Sequence, residues 1–322
     1  MTTDVHTELA APDVVDADGW QVPRPGGDLD ELVLEAGLGA RLLPAHVDEA
    51  ILRFASTSNR AGALLLRNVP IGPLPPTPVT PSAPSVKDLS TELALLTVAR
   101  RLGQPVGYRP EHGGRIVQNL VPVAVDADTQ TSTSSRSNLM FHTETAFHPF
   151  RPRYLLLLCL RGDPSATTTL ASVHDIVDRL DDDELEVMSQ PRFRTAVDAS
   201  FLNGRTNVPG PPHPLLAGTR DEPTFVFDAD LTTAADPTAD PRADDVLERV
   251  KHIVDEVTTG VVLEAGDLLV VDNNVAIHGR SPFTARFDGT DRWLQRAFVV
   301  SDLAPSAADR DGRVITTEFG RR

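Results

Sequence analysis

Three histidines of this chain carry an acidic residue two positions on: His6 with Glu8, His46 with Asp48 and His142 with Glu144. Asp and Glu supply 46 of the 322 residues, so about one such coincidence is expected among nine histidines, and context must choose. His6 lies in a polar N-terminal stretch that offers no rigid frame. His46 and Asp48 open a helical pattern, where residues two apart face different ways. His142 and Glu144 lie in LMFHTETAFHPF, a strand-like run in which i and i+2 share a side. An imidazole and a carboxylate on one face, joined by a second histidine, make a facial triad suited to non-haem Fe(II). The plain alternative is three unrelated polar residues.

The further ligand would come from His112, His148, His174, His213, His252 or His278. His148 has the parity of His142, but six residues of strand put it about 20 Å away. His174 and His252 fall in helical patterns. His278 closes the strand-like VVDNNVAIH just before a glycine, a position at the mouth of a barrel. In RWLQRAFVV, Arg292, Leu294, Arg296 and Phe298 share one face, with the two arginines about 13 Å apart. Buried among apolar neighbours, two guanidinium forks imply two carboxylate partners at different depths. On an outward face they would be ordinary solvated pairs. In TFVFDADL, Asp228 and Asp230 alternate against Phe225 and Phe227, and two carboxylates on one side ask for a cation between them.

The elements that must position these groups are short strands. Candidates are 116–125, 140–147, 154–160, 169–173, 224–228, 261–264, 268–272, 276–278 and 294–300, after an earlier apolar strand at 62–69. Helical periodicity marks 29–36, 44–58, 89–102, 173–180 and 246–259, the last with Gly260 as its stop. Between them, PIGPLPPTPVTPSAPS holds seven of the 27 prolines and must be extended or looped. Residues 1–27 read as a loose arm and 28–322 as a single domain. Many short strands with few helices favour a sandwich, barrel or jelly roll over a doubly wound sheet, and no G-x-G-x-x-G or Walker loop is present.

Composition bounds the partners. Thirty basic against 46 acidic residues give a net charge of −16, which disfavours nucleic acid and anionic membranes and favours small cations. The apolar run 154–160 is too short to span a bilayer, and the N-terminus lacks a signal pattern, so a cytoplasmic protein is expected. With Cys159 as the one cysteine, internal disulfides and cysteine-rich zinc knuckles are excluded.

Taken in order, FHTETAFHPFRPRYLLLLCLRGDP, TTTLASV, DNNVAIHGRSPF and RWLQR resemble the clavaminate synthase-like branch of the Fe(II)/2-oxoglutarate oxygenases. That branch includes free arginine and asparagine hydroxylases of peptide antibiotic pathways. The resemblance spans about residues 62–300. It implies a double-stranded β-helix (jelly-roll) core, mainly β with flanking helices. It also implies Fe(II) on His142, Glu144 and His278, with 2-oxoglutarate and O₂ as co-substrates. The distal carboxylate of 2-oxoglutarate would meet Arg292 and Thr169, although the segment between Cys159 and Thr169 departs from the family by one residue. Gln118 and Arg296 would hold the substrate's α-carboxylate, Glu144 its ammonium, and residues 126–138 would form a mobile lid. A carboxylate at position 144 favours hydroxylation over halogenation. Asp228 and Asp230 would then receive a basic side chain, arginine or lysine, oxidised at the β or γ carbon. The alternatives are a carrier-tethered amino acid, a cyclisation or desaturation, and a metal-holding sensor without turnover.

Overall fold

The computed structural model describes residues 8–26, 29–82 and 87–321. The strands are β1 (Asp13–Asp16), β2 (Ala63–Arg67), β3 (Gln104–Tyr108), β4 (Val117–Leu120), β5 (Leu139–His142), β6 (Tyr154–Arg161), β7 (Thr167–Ser172), β8 (Phe193–Thr195), β9 (Leu216–Gly218), β10 (Pro223–Phe225), β11 (Thr232–Ala234), β12 (Thr259–Val262), β13 (Leu268–Asp272), β14 (Ala276–Arg280), β15 (Trp293–Val300), β16 (Arg310–Asp311) and β17 (Val314–Ile315). The helices are α1 (Leu29–Gly39), α2 (Ala45–Thr57), α3 (Ser90–Leu102), α4 (Val173–Val177), α5 (Asp182–Met188), α6 (Ala199–Leu202) and α7 (Pro241–Glu256).

Two sheets carry the architecture. The larger runs β1-β2-β13-β6-β15-β3-β17-β16, with β4 also paired to β15, and the smaller runs β12-β7-β14-β5. Their inner faces share one apolar core, where Leu155, Leu157, Leu269 and Phe298 of the larger sheet meet Leu170 and Ala276 of the smaller. The outer face of the larger sheet is covered by helices, with Leu156, Leu158 and Val270 packed together with residues of α1, α2 and α3. The outer face of the smaller sheet, through Ala171 and Ile277, packs with residues of α4 and α7. This is the jelly roll with flanking helices. It explains why YLLLLCL reads as unbroken apolar sequence: β6 is central and buried on both faces, so both parities must be hydrophobic. Cys159 lies on its inner face, fully buried, with its thiol toward the Leu263 carbonyl oxygen at 3.5 Å.

Several expectations need correction. Residues 13–16, assigned to a loose arm, form β1 and pair in parallel with β2. Ala17 and Trp20 behind it are buried. A four-residue edge strand with an acid at each end carries too little apolar signal to be seen, and the burial lies beyond it, at Ala17 and Trp20. Helix α7 begins at Pro241, capped by the Asp240 carboxylate accepting from the Ala243 N–H, rather than at Val246. Gly260 is not its stop: the helix ends at Glu256 and Gly260 sits in β12, where a Cβ would lie 2.5 Å from Thr167 Cγ2. The strand expected over 116–125 shrinks to β4, and that over 140–147 to β5. His6 lies outside the described residues.

Candidate active site

β5 and β14 are antiparallel neighbours with His142 opposite His278. Paired residues leave the same face of a sheet, and the two rings sit 4.4 Å apart by centroid. Glu144 is not on the strand, as the sequence reading had it. The chain leaves β5 at His142 and turns, Thr145 taking φ +49°, and the turn brings Glu144 back to the histidines. One ligand atom each from His142, Glu144 and His278 lies within 4.8 Å of the others, the one such cluster among the described residues.

The turn is held by Asn273, which is fully buried. Its Oδ1 accepts from the Glu144 N–H at 2.7 Å, and its Nδ2 donates to the carbonyl oxygens of Glu144 at 3.1 Å and Pro152 at 2.9 Å. His142 Nδ1 donates to the Met140 carbonyl oxygen at 2.8 Å, which leaves Nε2 as the lone-pair nitrogen. Burial, with His142 adding, pushes His278 down to about 4, so its ring is neutral near pH 7. Burial alone would raise Glu144, but Arg296, the His278 hydrogen bond and His142 outweigh it and hold the carboxyl down to about 2. Two imidazoles and one carboxylate, open on one side to a cavity, fit a ferrous ion.

That cavity measures about 530 Å³ and lies between the sheets at the mouth of the barrel. Arg292 and Arg296 both line it from β15 and its entry, and both are buried. Arg292 has no hydrogen-bond or acidic partner within contact among the described residues. Arg296 is different. It pairs with Glu111, lies 3.6 Å from Glu144 Oε2, and donates through Nε to Gln118 Oε1 at 2.9 Å. Gln118 thus orients Arg296 from the facing strand and does not itself line the cavity. Thr169 is also misassigned. In the β7–β14 pairing His278 faces Leu170 and Arg280 faces Thr168, whereas Thr169 lies opposite Gly279 with the other parity. Thr168 lines the cavity, its hydroxyl buried with no hydrogen-bond partner among the described residues. Three consecutive threonines present the same group to both faces, so residue type could not choose between them.

At the other end, Asp228 lines the cavity but Asp230 is exposed and takes no part. The strand expected there stops at Phe225, and Asp228 opens a turn, its Oδ1 accepting from the N–H groups of Asp230 and Leu231 at 2.9 and 2.8 Å. Burial raises the Asp228 carboxyl, with His142 opposing. Residues 126–133 supply one wall through Asp126, Gln130, Thr131, Ser132 and Thr133. Unforeseen contributors are Glu111, Asp198, Arg280 and, from the proline-rich segment, Thr80, Pro81 and Ser82. Arg280 alone had a legible signal, the parity it shares with His278. His148 lies elsewhere, in an aromatic cluster with Tyr108, Phe201 and Phe319, and burial pushes it down to about 3.

Residues 42–298 match the taurine catabolism dioxygenase TauD, TfdA family. The chain belongs to that family. The matched span of this TauD/TfdA dioxygenase includes His142, Glu144 and His278 and both buried arginines, Arg292 and Arg296. It is 38% identical to an L-lysine 3-hydroxylase of Catenulispora acidiphila, over 88% of this chain and 80% of the relative. It is 37% identical to an L-asparagine oxygenase of Streptomyces coelicolor, over 84% and 81%. Among solved structures, an asparagine oxygenase holding Fe(II), 2S,3S-3-hydroxyasparagine and succinate superposes with a TM-score of 0.82 at 35% identity, covering 93% of this chain and 92% of that one. The non-heme iron oxygenase OrfP with Fe and alpha-ketoglutaric acid gives 0.79 at 33%, covering 88% and 90%. These likenesses decide for an enzyme over a metal-holding sensor. No helix among the described residues is long and apolar enough to cross a membrane.

Proposed function

We propose that this dioxygenase hydroxylates a free L-amino acid with a cationic side chain, using Fe(II), 2-oxoglutarate and O₂. One observation carries the reading: beside the His142, Glu144 and His278 cluster, charge alternates as Glu111, Arg296, Glu144. A cation flanked by two carboxylates is the complement of an α-amino acid zwitterion. The substrate carboxylate would meet Arg296, and its ammonium Glu111 and Glu144. Glu111 Oε2 is buried with no hydrogen-bond partner among the described residues, which supports it as an acceptor. A carrier-tethered amino acid has lost its carboxylate charge and would bring no anion to Arg296.

The bound metal would supply the oxygen chemistry, held by His142, Glu144 and His278. Arg292 and Thr168 would bind the distal carboxylate of 2-oxoglutarate, since Arg292 is a buried cation lining the cavity and the Thr168 hydroxyl beside it is buried without a partner among the described residues. Asp228 would take the distal cation. Relatives named as lysine 3-hydroxylase and L-ornithine/L-arginine 3-hydroxylase support a basic substrate oxidised at the β carbon. A second reading, a neutral amide side chain, is favoured by the exposure of Asp230, since a single carboxylate at Asp228 could also accept from a primary amide. Incubating the protein with Fe(II), 2-oxoglutarate, O₂ and each free amino acid tests this by mass increase of one oxygen. Arginine or lysine should lead, with stoichiometric succinate. Turnover of asparagine alone would establish the second reading, and turnover of an acidic amino acid would overturn both.

A further inference from the structure

Arg280 is buried on the same face of β14 as His278, two residues on. Gly279 between them permits this packing: a Cβ there would stand 2.5 Å from the Leu139 carbonyl oxygen. The acceptors of Arg280 are all neutral. Its Nη2 donates to Ser134 Oγ at 2.8 Å and to the Ser137 carbonyl oxygen at 3.3 Å, its Nη1 to the Ser281 carbonyl oxygen at 3.4 Å, and its Nε is buried without a partner among the described residues. Arg292 shares its surroundings. The two guanidinium carbons lie 5.0 and 5.9 Å from the centroid of one ring, Phe283. Phe283 in turn donates its N–H to the Ser135 carbonyl oxygen at 2.7 Å. Ser134 and Ser135 are buried at the neck of the loop 126–138, and the Ala127 carbonyl oxygen ties that neck by accepting from the N–H groups of Ser135 and Arg136.

Two buried like charges sharing one pocket repel each other until an anion arrives. We infer that Arg280 is the positioning residue that couples the dicarboxylate pocket to the loop 126–138. An anion seated against Arg292 relieves the repulsion on Arg280 and tightens its hold on Ser134 and Ser137. The loop neck is then firmest when the pocket is filled. This rests on the reading of Arg292 as the 2-oxoglutarate site.

The test uses the full-length Fe(II)-loaded protein without oxygen, with 2-oxoglutarate as the probe. Its affinity is read by calorimetric titration and the loop by hydrogen exchange. In the wild type, 2-oxoglutarate should slow exchange across 126–138. Arg280→Gln should weaken 2-oxoglutarate about tenfold or more. At saturating co-substrate its loop should still exchange faster than wild type and no longer respond. Arg292→Gln should lose the affinity while keeping the basal protection of the loop. Should Arg280→Gln fail to fold, Ser134→Ala cuts the tie from the loop side, and faster exchange with a change in affinity under about threefold is expected. A loop that responds to 2-oxoglutarate as in wild type, in Arg280→Gln or Ser134→Ala, overturns the coupling. Unchanged affinity in Arg292→Gln would instead overturn the assignment of that pocket.

Discussion

The two ends of the cavity are built differently. The arginine end is walled by regular strands: Thr168 on β7, Arg280 on β14, and Arg292 at the entry to β15, with Leu155 and Leu157 of β6 behind them. The opposite end, proposed for the amino acid, sets Arg296 of β15 among turns and loops: Glu111 after β3, the 126–133 loop, Asp198 ahead of α6, Asp228 in its own turn, and Thr80 to Ser82 from the proline-rich segment. Strand walls are locked by ladder hydrogen bonds and by a core on both sides. Loop walls are free to change length and composition without disturbing the sheets. On the proposed reading the co-substrate would meet the strand-built part of the barrel, and the substrate chiefly the loop-built part together with Arg296 of β15. The His142, Glu144 and His278 cluster sits at the boundary, with two of its residues on strands and one on a turn.

The largest effect should come from the boundary itself. His278→Ala is expected to abolish succinate formation while thermal unfolding stays cooperative, and full turnover in that variant would remove the metal assignment. The division between the ends predicts a split. Arg292→Ala should raise the KM for 2-oxoglutarate about 10- to 150-fold, and Arg296→Ala should do the same for the amino acid. Exchanged effects would dissolve the distinction. Within the loop-built end, Asp228→Asn should weaken a cationic substrate by about 2 kcal/mol. Asp230→Asn, at an exposed position, should stay within about 0.5 kcal/mol. Equal losses from both would restore the paired-carboxylate clamp.

An effect of another kind, on stability, belongs to the aromatic cluster beside the loop end. His148 stays neutral in the folded chain down to about 3, whereas unfolded histidine binds a proton near 6.5. Below that value the unfolded state takes up the extra proton, so stability falls with pH by up to about 1.4 kcal/mol per unit. His148→Phe should flatten this acid limb in urea titrations between about pH 6 and 4.

The same division explains what the sequence made legible. His142, His278 and the β15 arginines could be read because strand parity assigns a face to each residue. The central strands announced themselves through apolar runs. Glu144 joins the two histidines by a route the strand pattern did not show: it reaches the cluster through a turn clamped by Asn273, and a tertiary hydrogen bond leaves no periodic trace. Thr169 was carried over from the family resemblance across a segment that departs from it by one residue, and within a uniform run of threonines residue type could not reveal that Thr168 is the one facing the cavity. Asp230 failed because alternation was carried past the end of β10 into a turn, where it no longer has meaning. Glu111 and Asp198 stand in irregular segments, and nothing local distinguishes them from the many other acids of this chain.

Cys159 has a practical consequence. Burial pushes its thiol up to about 12, and it is wholly enclosed on β6. A protonated, inaccessible sulfur is a poor nucleophile and a slow target for peroxide, which suits a protein that handles iron and oxygen together. It also leaves the native chain silent toward maleimides. A cysteine introduced at exposed Thr129, near the tip of the 126–138 loop, would be the single labelling point. A fluorophore or spin label there would report the loop's position directly, against no background from the rest of the molecule.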